Sequence, residues 1–247
     1  KAIRRQRQMC IRDSHESDIT PGLANKIAMP FAKTVCTTFP ETLKYVPKEK
    51  GIHTGTPIRA ELFTGDRQKG LEACGFDGTK PVLLQMGGSL GAVKLNDALR
   101  ESLPPLLKDF DIIHLCGKGH KEESLEGIKG YRQFEYVTDG LADLFAATDV
   151  IIARAGSNSI SEFLALKKPH LLIPLSAKAS RGDQILNAAS YEKQGFAMVL
   201  PEEELTAATM EEKVRELYAN RETYIAAMEK STQNNGVEAV MALIRQF

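Results

Sequence analysis

Short runs of consecutive apolar residues, each separated from the next by a stretch of helical periodicity, constrain this chain more than any other feature. Val82-Leu83-Leu84-Gln85-Met86 reads as a buried strand and Gly87-Gly88-Ser89-Leu90-Gly91 as a tight loop. Ala92 to about Leu107 follows as a helix with apolar positions at Leu95, Leu99, Leu103 and Leu106. Ile112 to Cys116 is the next strand and Phe134 to Val137 a shorter one. A helix near Leu141 to Ala147 then precedes the strand Val150 to Ala153. A helix from about Ser159 to Leu166 leads into strand Leu171 to Ile173, and one near Asp183 to Gln194 leads into Ala197 to Leu200. A strand that is apolar throughout must be covered on both faces, and helices between such strands supply the cover. The expectation is therefore a doubly wound α/β domain with a parallel sheet.

Helical segments from Glu204 to Phe247 close the chain. Residues 15–58 carry only a short helix near Leu23 to Phe31 and two short strands, Val35 to Thr38 and Ile52 to Thr54, which is too little for an independent core.

Thirty-two basic residues balance 32 acidic ones, which removes the electrostatic footprint of a general nucleic-acid binder. The longest apolar runs fall far short of the roughly 20 residues that span a bilayer, so any membrane contact is expected to be peripheral. Cys10, Cys36, Cys74 and Cys116 lack CxxC pairing and suggest neither a disulfide framework nor a zinc site. A reducing cytoplasm fits that usage best.

The first 14 residues, KAIRRQRQMCIRDS, are strongly basic, and without them the rest of the chain is mildly acidic. They lack both the apolar core of a secretory signal and the pattern of a transit peptide. Residues 1–14 are read as a foreign leader resembling a translated sequencing-adaptor junction. On that reading the chain is a fragment.

In open parallel sheets ligands bind outside the carboxyl ends of the strands, which directs attention to three loops. Gly87 to Gly91 sits between strand and helix, where glycines allow close backbone approach and a helix N-terminus favours phosphate. It matches neither G-x-G-x-x-G nor the P-loop, and a plain strand-to-helix turn explains it equally well. Arg154 to Glu162 follows the strand ending at Ala153. There Ser159 to Glu162 fits S-x-x-E, a capping box, while a carboxylate at Glu162 also suits the vicinal hydroxyls of a ribose. The loop Ser176 to Asn187, with Arg181-Gly182-Asp183-Gln184, reads either as capping and surface or as a sugar contact.

Gly87-Gly88-Ser89-Leu90-Gly91-Ala92, Arg154-Ala155-Gly156 with Ser161-Glu162, and Asp183-Gln184 with Asn187-Ala188 together resemble the donor-binding domain of the MurG family. His15-Glu16-Ser17-Asp18, Pro21-Gly22-Leu23-Ala24-Asn25-Lys26 and Gly55-Thr56-Pro57-Ile58-Arg59 are similar to upstream family segments, in the same order. The resemblance implies an α/β fold of the GT-B glycosyltransferase type, with a complete C-terminal Rossmann-like donor domain and a remnant of the N-terminal one. The implied domains are residues 15–57 as that remnant, 58–230 as the UDP-sugar donor domain, and 231–247 as a C-terminal helix packing on the N-terminal domain.

It further implies an inverting transfer of N-acetylglucosamine from UDP-N-acetylglucosamine to lipid I, needing no metal or cofactor, at the inner face of the cell membrane. By position, Arg59 and Ser89 would hold the diphosphate and Val137 would sit by the uracil. Ser157, Asn158, Ser159, Ile160 and Ser161 would line the nucleotide, and Glu162 would bind the ribose. Gln184, with Asp183 and Asn187, would address the sugar, and Asp18 would contribute from the first domain. Asp18 and Asp183 depart from the residues common in the family, Asn and Gln. The general base is expected in the missing N-terminal segment, so the chain alone is expected to be inactive.

The histidines form no paired ligand spacing; His114 reads as a packed strand residue and His120 as a surface loop or cleft residue. Lys167-Lys168 reads as a solvated helix end, and Lys44, Lys48 and Lys50 as solvated. Two other readings stand beside the transferase. One is a non-catalytic UDP-sugar-binding module that needs a partner chain. The other is a nicotinamide-dependent oxidoreductase, disfavoured because the strand ending at Cys116 runs into Gly117-Lys118-Gly119, with no acid for an adenosine ribose.

Overall fold

The structure is a computed structural model that describes residues 13–88, 91–178, 180–231 and 235–245. The chain divides into two compact units. One comprises residues 1–58, 156–162 and 231–247, and the other Arg59–Ala155 with Phe163–Lys230.

The first unit holds a three-stranded parallel sheet, β1 (Asp13–Glu16), β2 (Thr34–Thr37) and β3 (Gly51–His53), in that order. Strand β1 is polar and escapes an apolar-run reading. It starts inside the stretch read as leader, since Asp13 and Ser14 pair with Thr34 and Val35; residues 1–12 lie outside the described residues. What fixes β1 is Glu16, a buried carboxylate that accepts from the N–H groups of Asp18 (3.1 Å) and Gly22 (2.9 Å) and from Asn25 Nδ2 (2.8 Å). These bonds tie the strand end to helix α1 (Leu23–Ala28). A cluster of Met29, Ala32, Val35 and Val46 packs beneath the sheet. Lys50, expected to be solvated, instead donates from Nζ to the Met29 and Pro30 carbonyls at 3.3 and 2.9 Å.

The second unit begins with a 3-10 turn, Ala60–Thr64, and helix α2 (Arg67–Cys74), capped by Asp66, neither of which stood out in the sequence. Six parallel strands follow: β4 (Val82–Met86), β5 (Asp111–Leu115), β6 (Tyr131–Phe134), β7 (Val150–Ala153), β8 (His170–Leu172) and β9 (Ala197–Val199). Their order is β6-β5-β4-β7-β8-β9. The connecting helices are α3 (Val93–Leu106), α4 (Leu141–Ala147), α5 (Ser157–Ala165) and α6 (Asp183–Lys193), with α7 (Ala207–Ala219) and α8 (Arg221–Glu229) after β9.

Alternation along the strands explains both covers. Leu83, Ile112, Val150, Ile152, Leu171 and Met198 face one core with Leu95, Leu99, Met210, Val214 and Leu217 of α3 and α7. On α4, α5 and α6, Phe145, Phe163 and Tyr191 form an aromatic file with His170 of β8, continued by Phe196. The doubly wound expectation therefore holds for this unit.

Three details differ from the sequence reading. Strand β6 lies three residues upstream of the expected Phe134–Val137, because an edge strand alternates: Tyr131 and Gln133 are buried while Arg132 is exposed. That shift frees residues 135–140 as a loop. Helix α5 starts at Ser157, so Ser159 is already helical and the S-x-x-E capping box is not formed. Lys167 and Lys168 are half-buried and their ammonium groups are engaged. Lys167 Nζ donates to Met228 O (2.9 Å) and Lys168 Nζ to Thr148 O (2.7 Å), satisfying backbone carbonyls at element ends.

The chain closes with helix α9 (Val237–Ile244), which belongs to the first unit. Asn235 pins its start by exchanging hydrogen bonds with the Ile58 backbone, and Gly236 N–H donates to Thr56 O. Val237, Met241 and Ile244 are exposed.

Candidate functional site

The strand order reverses at β4: the chain runs outward from β4 to β5 and β6, then crosses back to β7 on the other side. Such a switch point leaves a crevice outside the carboxyl ends of β4 and β7, because the two following connections depart to opposite faces of the sheet. The loop after β4, of which Gly87, Gly88, Gly91 and Ala92 are described, and the loop after β7, which starts at Arg154, border that crevice.

The first loop is built for close approach. A Cβ on Gly91, at φ +76°, would overlap the Cys116 carbonyl oxygen, and one on Gly87 would lie 2.7 Å from Ala92. Helix α3 then opens at Ala92 with no side-chain cap. The first-turn N–H groups of a 14-residue helix therefore point outward with the positive end of its dipole. Beneath the loop, a buried chain of polar groups holds the opposing backbone. Asn96 Nδ2 donates to Cys116 O (2.8 Å), His114 Nε2–H donates to Asn96 Oδ1 (3.0 Å), and Tyr131 OH donates to His114 Nδ1 (2.7 Å). Burial, helped by the Arg100 charge, pushes the His114 pKa down to about 3, so the ring stays neutral. Burial likewise raises Tyr131 to about 12. His114 is thus the packed strand residue expected.

Two cavities open at this end of the sheet. The smaller, about 280 Å³, is lined by Met86, Leu115, Leu141 and Val137, with Tyr136 and Arg59 among its other walls. Its lining is mostly apolar, and Tyr136 stands 65% exposed. The larger, about 520 Å³, is bounded by Gly87, Gly91 and Lys94 on one side and by Leu175, Ser176, Lys178 and Gln184 on another, with Arg154 and Glu202 in its wall. Arg154 and Glu202 form an ion pair, 13% and 4% exposed at the side chain, and Lys94 Nζ lies 3.9 Å from the same carboxylate.

The structure distributes the sequence candidates unevenly. Arg59 and Val137 line the smaller cavity, and Gln184 the larger. Asp183 heads α6 and pairs with Arg181 at 2.7 Å. Asn187, read as a sugar contact, is fully buried and donates from Nδ2 to Ala155 O (3.2 Å), so the side chain fastens α6 to the loop after β7. Ile160 is also fully buried, so its side chain belongs to the core and not to a nucleotide. Of the α5 candidates, Asn158 is exposed and Ser159 and Glu162 are half-buried. Ser157 is buried, and Ser161 Oγ donates back to Ser157 O (2.8 Å) and lies 3.2 Å from Thr56 Oγ1. Asp18 lies in the first unit, where its N–H bonds Glu16 and its carbonyl accepts from Thr42. Ser89 lies outside the described residues.

Sequence reasoning gave no role to Tyr136, Lys94, Ser176, Lys178 or Glu202. The usable signals were an aromatic residue in a loop at a strand's carboxyl end, and an arginine and an acid each just beyond an apolar strand. Among the described residues no three histidine, cysteine or acidic side chains gather into a metal-sized group, and no helix is long and apolar enough to cross a membrane. Cys36, Cys74 and Cys116 are buried thiols; Cys10 lies outside the described residues.

Comparison with known proteins agrees with this picture. Residues 82–244 match the profile of the glycosyltransferase family 28 C-terminal domain. The chain is 56% identical over 231 residues to a protein of Lachnospira eligens named UDP-N-acetylglucosamine--N-acetylmuramyl-(pentapeptide) pyrophosphoryl-undecaprenol N-acetylglucosamine transferase. It is also 55% identical over 234 residues to the Clostridium tetani protein of the same name. The matches cover 94% and 95% of this chain, and the chain spans about 65% of the length of each of these relatives. The crystal structure of Acinetobacter baumannii MurG superimposes with a TM-score of 0.72 at 25% identity, over 95% of this chain and 66% of that one. The calicheamicin glycosyltransferase CalG4 does so with 0.60 at 14% identity, a likeness of fold. The architecture is of the GT-B glycosyltransferase type, the family resemblance read in the sequence is borne out, and the chain belongs to the glycosyltransferase family 28 C-terminal domain family.

Proposed function

We propose that this chain supplies the donor-nucleotide half of an inverting hexosyltransferase that moves N-acetylglucosamine from UDP-N-acetylglucosamine to lipid I. The observation that carries the reading is the smaller cavity: a base-sized, mostly apolar space beside Tyr136 and Val137, with Arg59, Glu135 and Thr138 also in its wall. Gly88 lines it too, so it adjoins the glycine loop that leads to the uncapped start of α3. A flat base, an anionic linker and a polar sugar need these three environments in that order. The names of the curated relatives support the choice of sugar and acceptor.

In this reading Tyr136 stacks on the uracil beside Val137, and Arg59 with the α3 amides holds the diphosphate. Glu162 accepts from the ribose hydroxyls and Gln184 reaches the sugar. The acceptor hydroxyl oxygen attacks C1 of the sugar from the face opposite the diphosphate. The C1–O bond breaks, its electron pair leaves on UDP, and the acceptor proton passes to a base contributed by the N-terminal domain of the family. Arg59 and the helix amides stabilise the charge gathering on the departing diphosphate, and such preorganised donors are worth several kcal/mol in a sheltered site, roughly 3 kcal/mol for one donor.

A peripheral position at the membrane surface fits a lipid acceptor. It is supported by α1, where Leu23, Ile27 and the following Phe31 are 70%, 62% and 78% exposed, with Lys26, Lys33, Lys44 and Lys48 exposed nearby in the sequence.

The test is turnover with UDP-N-acetylglucosamine and a lipid I analogue. The 247-residue chain is expected to bind the donor and form no product, and replacing residues 1–12 by the segment that precedes β1 in an intact family N-terminal domain is expected to give product. Donor binding with no product from that fusion would favour a non-catalytic binding module. Failure to bind any uridine nucleotide would remove the reading altogether.

A further inference from the structure

After β8 ends at Leu172, the chain continues as Ile173-Pro174-Leu175-Ser176, whose last two residues line the larger cleft, and three side chains from separate elements hold that run. Arg154 Nη1 donates to Ile173 O (3.1 Å) and Pro174 O (3.4 Å). Glu202 Oε2 accepts from Ser176 N–H (3.3 Å), and Glu202 Oε1 pairs with Arg154 Nη2. Between them, Leu175 N–H donates to Gln184 Oε1 at 3.0 Å. A backbone N–H only donates, so the carboxamide atom it meets must be the oxygen. That fixes the rotation of the Gln184 amide and leaves Nε2, with its two hydrogens, as the group offered to the cleft.

A paired arginine and carboxylate buried this deeply gain little net stability, because both charges lose their water. Their geometry serves another end. Remove the guanidinium and two carbonyls lose their donor, Glu202 keeps only the Ser176 amide and the more distant Lys94, and the run that presents Leu175 N–H is no longer held on both sides.

We propose that Arg154 and Glu202 are positioning residues that lock Gln184 as a hydrogen-bond donor to the sugar of the bound nucleotide, and so set the preference for nucleotide sugar over bare nucleotide. The proposal rests on the donor-site reading above.

The test compares dissociation constants for UDP and UDP-N-acetylglucosamine by calorimetry on the full chain and its Gln184→Ala, Arg154→Met and Arg154→Met/Gln184→Ala variants, with thermal unfolding alongside. One hydrogen bond to a sugar oxygen is worth about 1 kcal/mol, or about fivefold. Gln184→Ala is expected to lower the preference for the sugar nucleotide by about that factor. Arg154→Met is expected to do the same, and the double variant to lose no more than either single one, since both remove the same interaction. Independent losses that multiply in the double variant would overturn the proposal, as would an unchanged preference in folded Arg154→Met. Should Arg154→Met not fold, Glu202→Gln, which keeps shape and removes the charge, carries the same expectation and the same refutation. A wild-type chain that binds neither ligand would overturn the donor-site reading and this proposal with it. Binding of both without any preference would overturn the proposal alone.

Discussion

Tyr136→Ala separates a ligand-binding aromatic from a structural one. The side chain is 65% exposed in a loop between β6 and α4, and the folded protein therefore loses little packing on its removal. A surface truncation of this kind shifts stability by no more than about 0.5 kcal/mol. A base stacked on the ring would lose far more, about 1–3 kcal/mol, which is roughly 5- to 150-fold in affinity. The apolar side of the cavity, Met86, Leu115 and Leu141, would still receive the base, which places the expectation toward the lower half of that range. Calorimetric titration with UDP, run on the wild type, Tyr136→Ala and Tyr136→Phe, reads the effect directly. The expected result is a loss of fivefold or more for alanine, near-wild-type affinity for phenylalanine, and unchanged melting temperatures. Alanine and wild-type affinities within a factor of two would refute the assignment of this cavity to the base.

Two further outcomes follow from the same geometry. Glu162→Ala should weaken UDP at least tenfold with the fold intact, because a carboxylate hydrogen-bonded to a ribose diol contributes about 1.5–3 kcal/mol; a variant that loses stability and keeps its affinity would return Glu162 to a structural role. His170 tests stability against pH: burial pushes its pKa down to about 4, partly offset by its bond to Lys168 O, and its Nε2 is buried without a partner. Its folded pKa lies below the unfolded value of about 6.5, so the unfolded chain binds the extra proton. Stability is then complete above about pH 6.5 and falls toward pH 4 by on the order of 1 kcal/mol per pH unit for this residue. In urea titrations across that window, His170→Phe should flatten the fall by about one proton, and an unaltered slope would contradict the argument.

The larger unit was legible because its central strands are buried on both faces, which forces continuous apolar runs such as Val150–Ala153. The same logic hid the elements that are not so placed. Edge strand β6 alternates, and β1 consists of Asp13-Ser14-His15-Glu16, held by the hydrogen bonds of one buried carboxylate and not by apolar burial. Loop positions were legible for the candidate site, since glycines and polar residues follow the strand ends. Side-chain direction was not. Asn187 and Gln184 stand three residues apart on α6, yet one turns inward to Ala155 and the other lines the cleft. Lys168 looked like a solvated helix end because sequence shows charge and not the Thr148 carbonyl that receives it. The Arg154–Glu202 pair joins residues 48 apart in sequence, and no local pattern announces such a contact.

The central claim is that one end of this sheet binds a uridine diphosphate through both its base and its phosphates. The most direct measurement is calorimetric titration of the chain with UDP and with uridine, repeated on Arg59→Ala. A guanidinium that grips two phosphate oxygens, aided by the α3 N-terminus, should make UDP bind at least tenfold more tightly than uridine, since charge-assisted hydrogen bonds contribute about 1.5–3 kcal/mol. Arg59→Ala should narrow that gap while leaving uridine affinity in place. Equal affinity for uridine and UDP in the wild type, or a gap untouched by the substitution, would contradict the account.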